Sequence, residues 1–148
     1  SSLDTWTIRA NVKGVVIAED NIPYVRLSYP VGQGRVWNGK EFNNQDAGET
    51  CPSGSGNSED LYSYGAVQLP FETPGGLIFE NTSEVIENDF PDVFSRQDIR
   101  KAVYALNVGM VYREINIKKY CTDLSCYNKQ LVECGWLLKM ELKEYGRE

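Results

Sequence analysis

The sequence predicts an α+β fold, a twisted antiparallel sheet of about seven strands with one helix packed across it near residues 96–107. Three features carry this expectation. Apolar and polar residues alternate from Trp6 to Lys13, a capped apolar stripe runs through residues 95–107, and two long alternating runs close the chain. A sandwich or partly open barrel with that one helix satisfies the same pattern.

In the first run Trp6, Ile8, Ala10 and Val12 alternate with Thr7, Arg9, Asn11 and Lys13, which predicts a strand with one buried face. Gly14 interrupts it. Val15-Val16-Ile17-Ala18 reads as a short apolar strand, Glu19-Asp20-Asn21 as its turn, and Tyr24 to Tyr29 as the next strand. After a loop at 30–34, Arg35-Val36-Trp37 and Lys40-Glu41-Phe42 flank Asn38-Gly39. That pair accepts the positive φ angles of a tight hairpin turn, so a hairpin is expected there.

Residues 43–62 form a long polar loop in this reading, with Cys51 near its middle. Ala66 to Phe71 and Leu77 to Phe79 are strands around the turn Thr73-Pro74-Gly75-Gly76, and 80–91 is acidic and irregular. The helix begins at Ser95. A serine N-cap followed three residues later by Asp98 approximates a capping box, and Phe94 with Ile99 fits a hydrophobic staple. Ile99, Ala102, Val103 and Leu106 fall at i, i+3, i+4 and i+7. The closing strands run from Met110 to about Tyr120 and from Leu131 to Leu142. Their apolar faces have opposite parity, so an antiparallel pairing joins odd to even positions.

The whole chain of 148 residues reads as a single domain, 1–148, with enough apolar content to bury a core. No apolar run approaches the roughly 18 residues of a membrane span. Ser1-Ser2-Leu3-Asp4 reads as a mature or trimmed end. The net charge of −6 argues against a nucleic-acid partner, which needs clustered Lys and Arg. Charge is uneven, with 5 basic and 14 acidic residues up to Phe94 and 10 basic and 7 acidic after it. Ordinary surface variation explains that better than an acidic docking face.

Histidine is absent. Ser-His-Asp and Cys-His catalysis and His-ligated zinc are therefore closed to the chain. No Walker, nucleophile-elbow or EF-hand spacing occurs, and Gly32-Gln33-Gly34 lacks the third glycine and the helix of a dinucleotide loop. No catalytic residue, cofactor or metal site is predicted. Glu80, Glu84, Glu87, Asp89 and Asp92 include no marked pair of the kind that hydrolyses glycosidic bonds.

Four cysteines without C-x-x-C point to two disulfides and an oxidising compartment. Parity favours Cys121–Cys134 with Cys51–Cys126, placing Ile117 beside Leu138. Cys121–Cys126 with Cys51–Cys134 is the rival, and a third connectivity stays open. Asn81-Thr82-Ser83 is a glycosylation sequon in what reads as a turn. Arg113 stands out on an apolar strand face between Val111 and Ile115, where a charge needs a partner. A salt bridge is the favoured reading of it, an anion pocket the other. Trp37, Phe42, Tyr62 and Tyr64 border the hairpin and the polar loop. With Arg113 they form the candidate binding residues for a protein or carbohydrate partner.

The expectation is a secreted, extracellular or periplasmic binding protein of effector, adhesin-subunit or inhibitor type. A His-free hydrolase with paired carboxylates and a structural subunit of a pilus, coat or matrix are the alternatives.

Overall fold

The computed structural model describes residues 5–43, 61–91, 96–126, 129 and 131–147. Among the described residues nine antiparallel strands make two sheets. The small sheet holds β1 (Trp6–Asn11), β2 (Gly14–Glu19) and β3 (Ile22–Ser28). The large sheet holds β4 (Val36–Asn38), β5 (Leu61–Glu72), β6 (Ile78–Pro91), β7 (Arg96–Ala105), β8 (Gly109–Tyr120) and β9 (Val132–Glu141), in chain order. Among the described residues there is no helix, so none is long and apolar enough to cross a membrane. The fold is all-β, not α+β.

The sheets pack face to face. Ile17 and Val25 of the small sheet meet Trp37, Tyr62, Tyr64, Val85, Ala102 and Tyr104 of the large one. Polar groups stitch the same interface. The Tyr64 hydroxyl donates to the Ser28 carbonyl at 2.8 Å and accepts from the Ser28 N–H at 3.1 Å. The Trp37 indole N–H donates to the Val25 carbonyl at 2.8 Å. A second cluster, Phe79, Val103, Ala105, Val111 and Tyr112, covers part of the opposite face of the large sheet.

That second cluster explains why the helix expected at 96–107 is a strand. Ala102 and Tyr104 face the small sheet, while Val103 and Ala105 face the other cluster. A strand covered on both sides loses its alternation and becomes a continuous apolar run. Ala102 and Val103, adjacent in the expected helical stripe, are buried as neighbours within the continuous run 102–105. Leu106 ends up exposed in the β7–β8 turn. Ser95, the expected cap, lies outside the described residues, as does the 44–60 part of the polar loop with Cys51.

Other expectations also change. Lys40-Glu41-Phe42 is a turn and not a strand, because β4 pairs with Leu61–Ser63. The Asn38 side chain accepts the Lys40 N–H at 2.9 Å and so closes its own turn. Gly39 is required for another reason, since a Cβ there would run into the Tyr62 ring. Leu61 and Tyr62 belong to β5 instead of the loop. Residues 80–91 are regular β6, so the Asn81 sequon lies inside a strand. The β8–β9 pairing does join odd to even positions, but two residues away from the expected register. Ile117 opposes Trp136, Ile115 opposes Leu138 and Lys119 opposes Cys134.

Cys121 is bonded to Cys126, and this overturns the favoured Cys121–Cys134 bridge and its companion Cys51–Cys126. Cys126 is five residues on, across the turn that follows β8, with Cα atoms 5.9 Å apart. Cys134 is itself disulfide-bonded, and among the described residues no cysteine is free.

Candidate functional site

Two β-bulges build an ionic cluster between the sheets. Val15 and Val16 of β2 oppose Leu27 and Val25 of β3, which leaves Arg26 as an extra residue. Ile86 and Asn88 of β6 oppose Lys101 and Arg100 of β7, which leaves Glu87 as an extra residue. A bulge re-aims the side chain it carries, and both of these point inward. Arg26 Nη1 meets Glu87 Oε1 at 2.6 Å and Arg26 Nη2 meets Glu19 Oε1 at 2.6 Å. Arg113 meets Glu19 at 2.9 Å and Glu87 at 3.8 Å. The Arg26 guanidinium also lies 4.5 Å over the Tyr24 ring.

Burial by itself would lower the pKa of the Arg26 guanidinium. Glu87, then Tyr62 and Glu19, outweigh it and hold the guanidinium pKa above its ordinary value. Beside these groups buried Asp98 takes Arg100 at 2.8 Å and Arg96 at 3.4 Å. The cleft next to the cluster is about 190 Å³ and is closed on one side by Trp136. Four guanidiniums, Arg26, Arg96, Arg100 and Arg113, face three carboxylates, Glu19, Glu87 and Asp98. Glu19 and Glu87 are each held by Arg26 and Arg113, so the cluster works as a clasp between the sheets.

Tyr104 closes the clasp from β7. Its hydroxyl is buried without a hydrogen-bond partner among the described residues. Burial raises its pKa well above the phenol value, with Arg26 opposing. Above about pH 10 the unfolded chain releases this proton while the folded chain keeps it. The unfolded state then binds fewer protons, so stability falls as pH rises, with a slope approaching about 1.4 kcal/mol per pH unit. Below that pH the contribution is fully present. Tyr104→Phe is expected to flatten the decline in urea midpoints between about pH 9 and 11. A slope identical to wild type would show that Tyr104 does not cause it.

A second feature lies at the end of the sandwich, around the β7–β8 turn. A groove of about 440 Å³ opens there between the sheets. None of its lining residues is charged, in a chain whose charged content is 24%. Val15, Leu27, Val31 and Leu106 supply apolar wall, Tyr29 an aromatic ring, and Gln68, Asn81 and Asn107 side-chain amides. Gln68 holds φ at +54° in the middle of β5. Val67 and Leu69 oppose Ser83 and Thr82, so Gln68 is again the extra residue of a bulge. A side chain other than glycine in that region costs about 1–3 kcal/mol and persists where the surroundings impose it. The Asn81 carbonyl accepts the Leu106 N–H at 3.0 Å and ties the turn to β6.

No family model, curated protein or solved structure matches the chain.

The residues singled out by sequence are scattered by this geometry. Trp37, Tyr62 and Tyr64 are buried in the core, with Trp37 rings 6.1 Å from Tyr62 and 4.7 Å from Tyr64. They join the sheets and offer no open rim. Phe42 is 59% exposed and stands apart from them on the outer face of the small sheet, beside Pro23 and Val16. Arg113 is salt-bridged within the clasp. Of the acids, Glu87 is buried between arginines, Glu80 and Asp89 are exposed, Glu84 is half-buried, and Asp92 lies outside the described residues. Asn81 borders the neutral groove. Cys121, Asp123 and Cys126 bring ligand-type groups together, but the two sulfurs are bonded to each other. Sequence reasoning missed Arg26, Glu19, Gln68 and Asn107. Gln68 and Asn107 carried no signal, and Arg26 looked like a wet-face residue of its strand.

Proposed function

We propose that the chain is a secreted, disulfide-stabilised binding protein whose neutral groove holds an uncharged, hydroxyl-bearing ligand of carbohydrate type. The observation that carries this reading is the groove wall, which is free of charge, mainly apolar and studded with three amides. Its volume falls in the range of small-molecule sites, about 300–1,000 Å³. An amide offers both donors and an acceptor and so matches a hydroxyl, which is donor and acceptor at once. The Tyr29 ring and the aliphatic wall suit the C–H face of a sugar. The Cys121–Cys126 bridge supports an oxidising compartment. A hydrolase gains no support, because Glu19 and Glu87 are occupied by guanidiniums.

The test is a backbone NMR titration with neutral disaccharides, using a sialylated trisaccharide as the charged control. Shifts at Gln68, Asn81 and 105–109 are expected for the neutral sugars, with Kd on the order of 1 mM. Gln68→Gly is expected to abolish them while stabilising the fold by about 1 kcal/mol through relief of the positive φ. Shifts that are absent, or that map away from the groove, would overturn the assignment.

A further inference from the structure

Asn81-Thr82-Ser83 is the only Asn-x-Ser/Thr triplet in the sequence. Its residues divide between the two faces of β6. Thr82 opposes Ala105, is 5% exposed and donates its hydroxyl to the Leu69 carbonyl at 2.7 Å. Ser83 opposes Tyr104, which packs against the small sheet, and Asn81, two residues earlier, shares that face. Asn81 and Ser83 therefore both line the neutral groove. The Asn81 side chain is exposed, and among the described residues no hydrogen bond engages its amide. Tyr29, Val31 and Leu106 are 37%, 38% and 64% exposed, and these apolar surfaces border the same space of about 440 Å³.

We propose that Asn81 carries an N-linked glycan whose first N-acetylglucosamine residue lies in the groove. The proposal rests on the secreted, sugar-accommodating reading given above. In the transfer, Asn81 Nδ2 attacks C1 of a lipid-linked oligosaccharide diphosphate donor. The Nδ2–C1 bond forms, the C1–O bond to the diphosphate breaks, and Nδ2 gives up one proton. The step acts on the extended chain before β6 pairs, so a strand position does not protect the sequon. In the folded chain Tyr29, Val31 and Leu106 offer apolar surface to the C–H face of the attached sugar. Gln68 and Asn107 offer amide donors and acceptors to its hydroxyl and acetamido groups. The covalent link sets an effective concentration in the mM range or above, enough to fill a site whose Kd is on the order of 1 mM. The glycan therefore competes with free ligand for the groove, and its removal opens the groove.

The test compares two preparations of the wild-type chain. One is secreted from mammalian cells that leave N-glycans high-mannose, and an endoglycosidase trims it to a single N-acetylglucosamine. The other is made in the bacterial periplasm, where the sequon stays bare. Peptide mass spectrometry of the first is expected to place one N-acetylhexosamine on Asn81. Amide chemical shifts of the two are expected to differ at Val31, Gln68 and 105–109, with nuclear Overhauser contacts from the acetyl methyl to Tyr29 or Leu106. A neutral disaccharide is expected to bind the trimmed form about tenfold more weakly than the bare form. An unmodified Asn81 in the secreted chain, shift differences confined to the neighbours of residue 81 in sequence, or disaccharide binding of equal strength in both forms would overturn the inference. The shift differences need no free ligand. They stay decisive if the bare chain binds no disaccharide, a result that would count against the free-ligand assignment of the groove alone.

Discussion

Arg26→Met is expected to lower the unfolding free energy by about 3–5 kcal/mol, a large part of what a small domain has. The residue is 2% exposed, and its guanidinium neutralises Glu87 and Glu19 at 2.6 Å each. The loss comes mainly from what remains. Glu87 would stay buried with only the more distant Arg113, at 3.8 Å, to compensate it. Methionine keeps most of the side-chain volume, so a cavity contributes little. The informative companion is Arg26→Met with Glu87→Met. The double variant removes both bulge-borne charges and leaves Glu19 and Arg113 paired at 2.9 Å. Buried ion pairs replaced together by apolar residues of similar size are often neutral or stabilising. The double variant is therefore expected to regain most of the loss in urea denaturation. If it is no more stable than Arg26→Met alone, the coupling between the two residues is absent.

The clasp also shows which parts of this structure were legible from sequence. Arg113 was flagged because period-two reasoning holds from Arg113 through Ile115 to Ile117, past the bulge that leaves Val111 as an extra residue, and a charge in line with those isoleucines stands out. Arg26 escaped because it is a bulge residue, and Glu87, another bulge residue, did not stand out from the four other acids of a stretch read as irregular. One inserted position reverses the facing of a side chain, and Arg26 between Val25 and Leu27 then looks wet although it is buried. Gln68 between Val67 and Leu69 hid in the same way. β1, β2 and β3 were readable in position, because each lies near its expected place and the turn at Asp20-Asn21 takes the positive φ its residues favour, but the buried face expected of β1 is absent, since all six of its residues are exposed. β7 was not, because its environment on two sides is set by residues far along the chain, such as Phe79 and Tyr64. The β8–β9 register slipped by two when the sulfurs were taken as the anchor. The bridge from Cys121 is local instead, and Cys134 faces Lys119. The groove assembles from five separate stretches of chain, so no spacing in the sequence could mark it.

Trp37 and Phe42 looked equivalent as two aromatic arms of one hairpin, and truncating them should separate them sharply. Trp37→Ala is expected to cost about 3–5 kcal/mol, the range for deleting a large aromatic from a packed interior. The ring fills the junction of the sheets between Tyr62 and Tyr64. Its loss also strands the Val25 carbonyl, whose 2.8 Å bond to the indole crosses from one sheet to the other. Phe42→Ala removes a ring that is already mostly in water and should change stability by less than about 0.5 kcal/mol. Trp37→Phe divides the two contributions, since it keeps most of the packing and loses the hydrogen bond, so it should fall between wild type and Trp37→Ala. Chemical denaturation of the three variants gives the comparison directly. Equal effects from Trp37→Ala and Phe42→Ala would mean that the small sheet is not held by this ring. The packing of Ile17 and Val25 against the large sheet would then need another source.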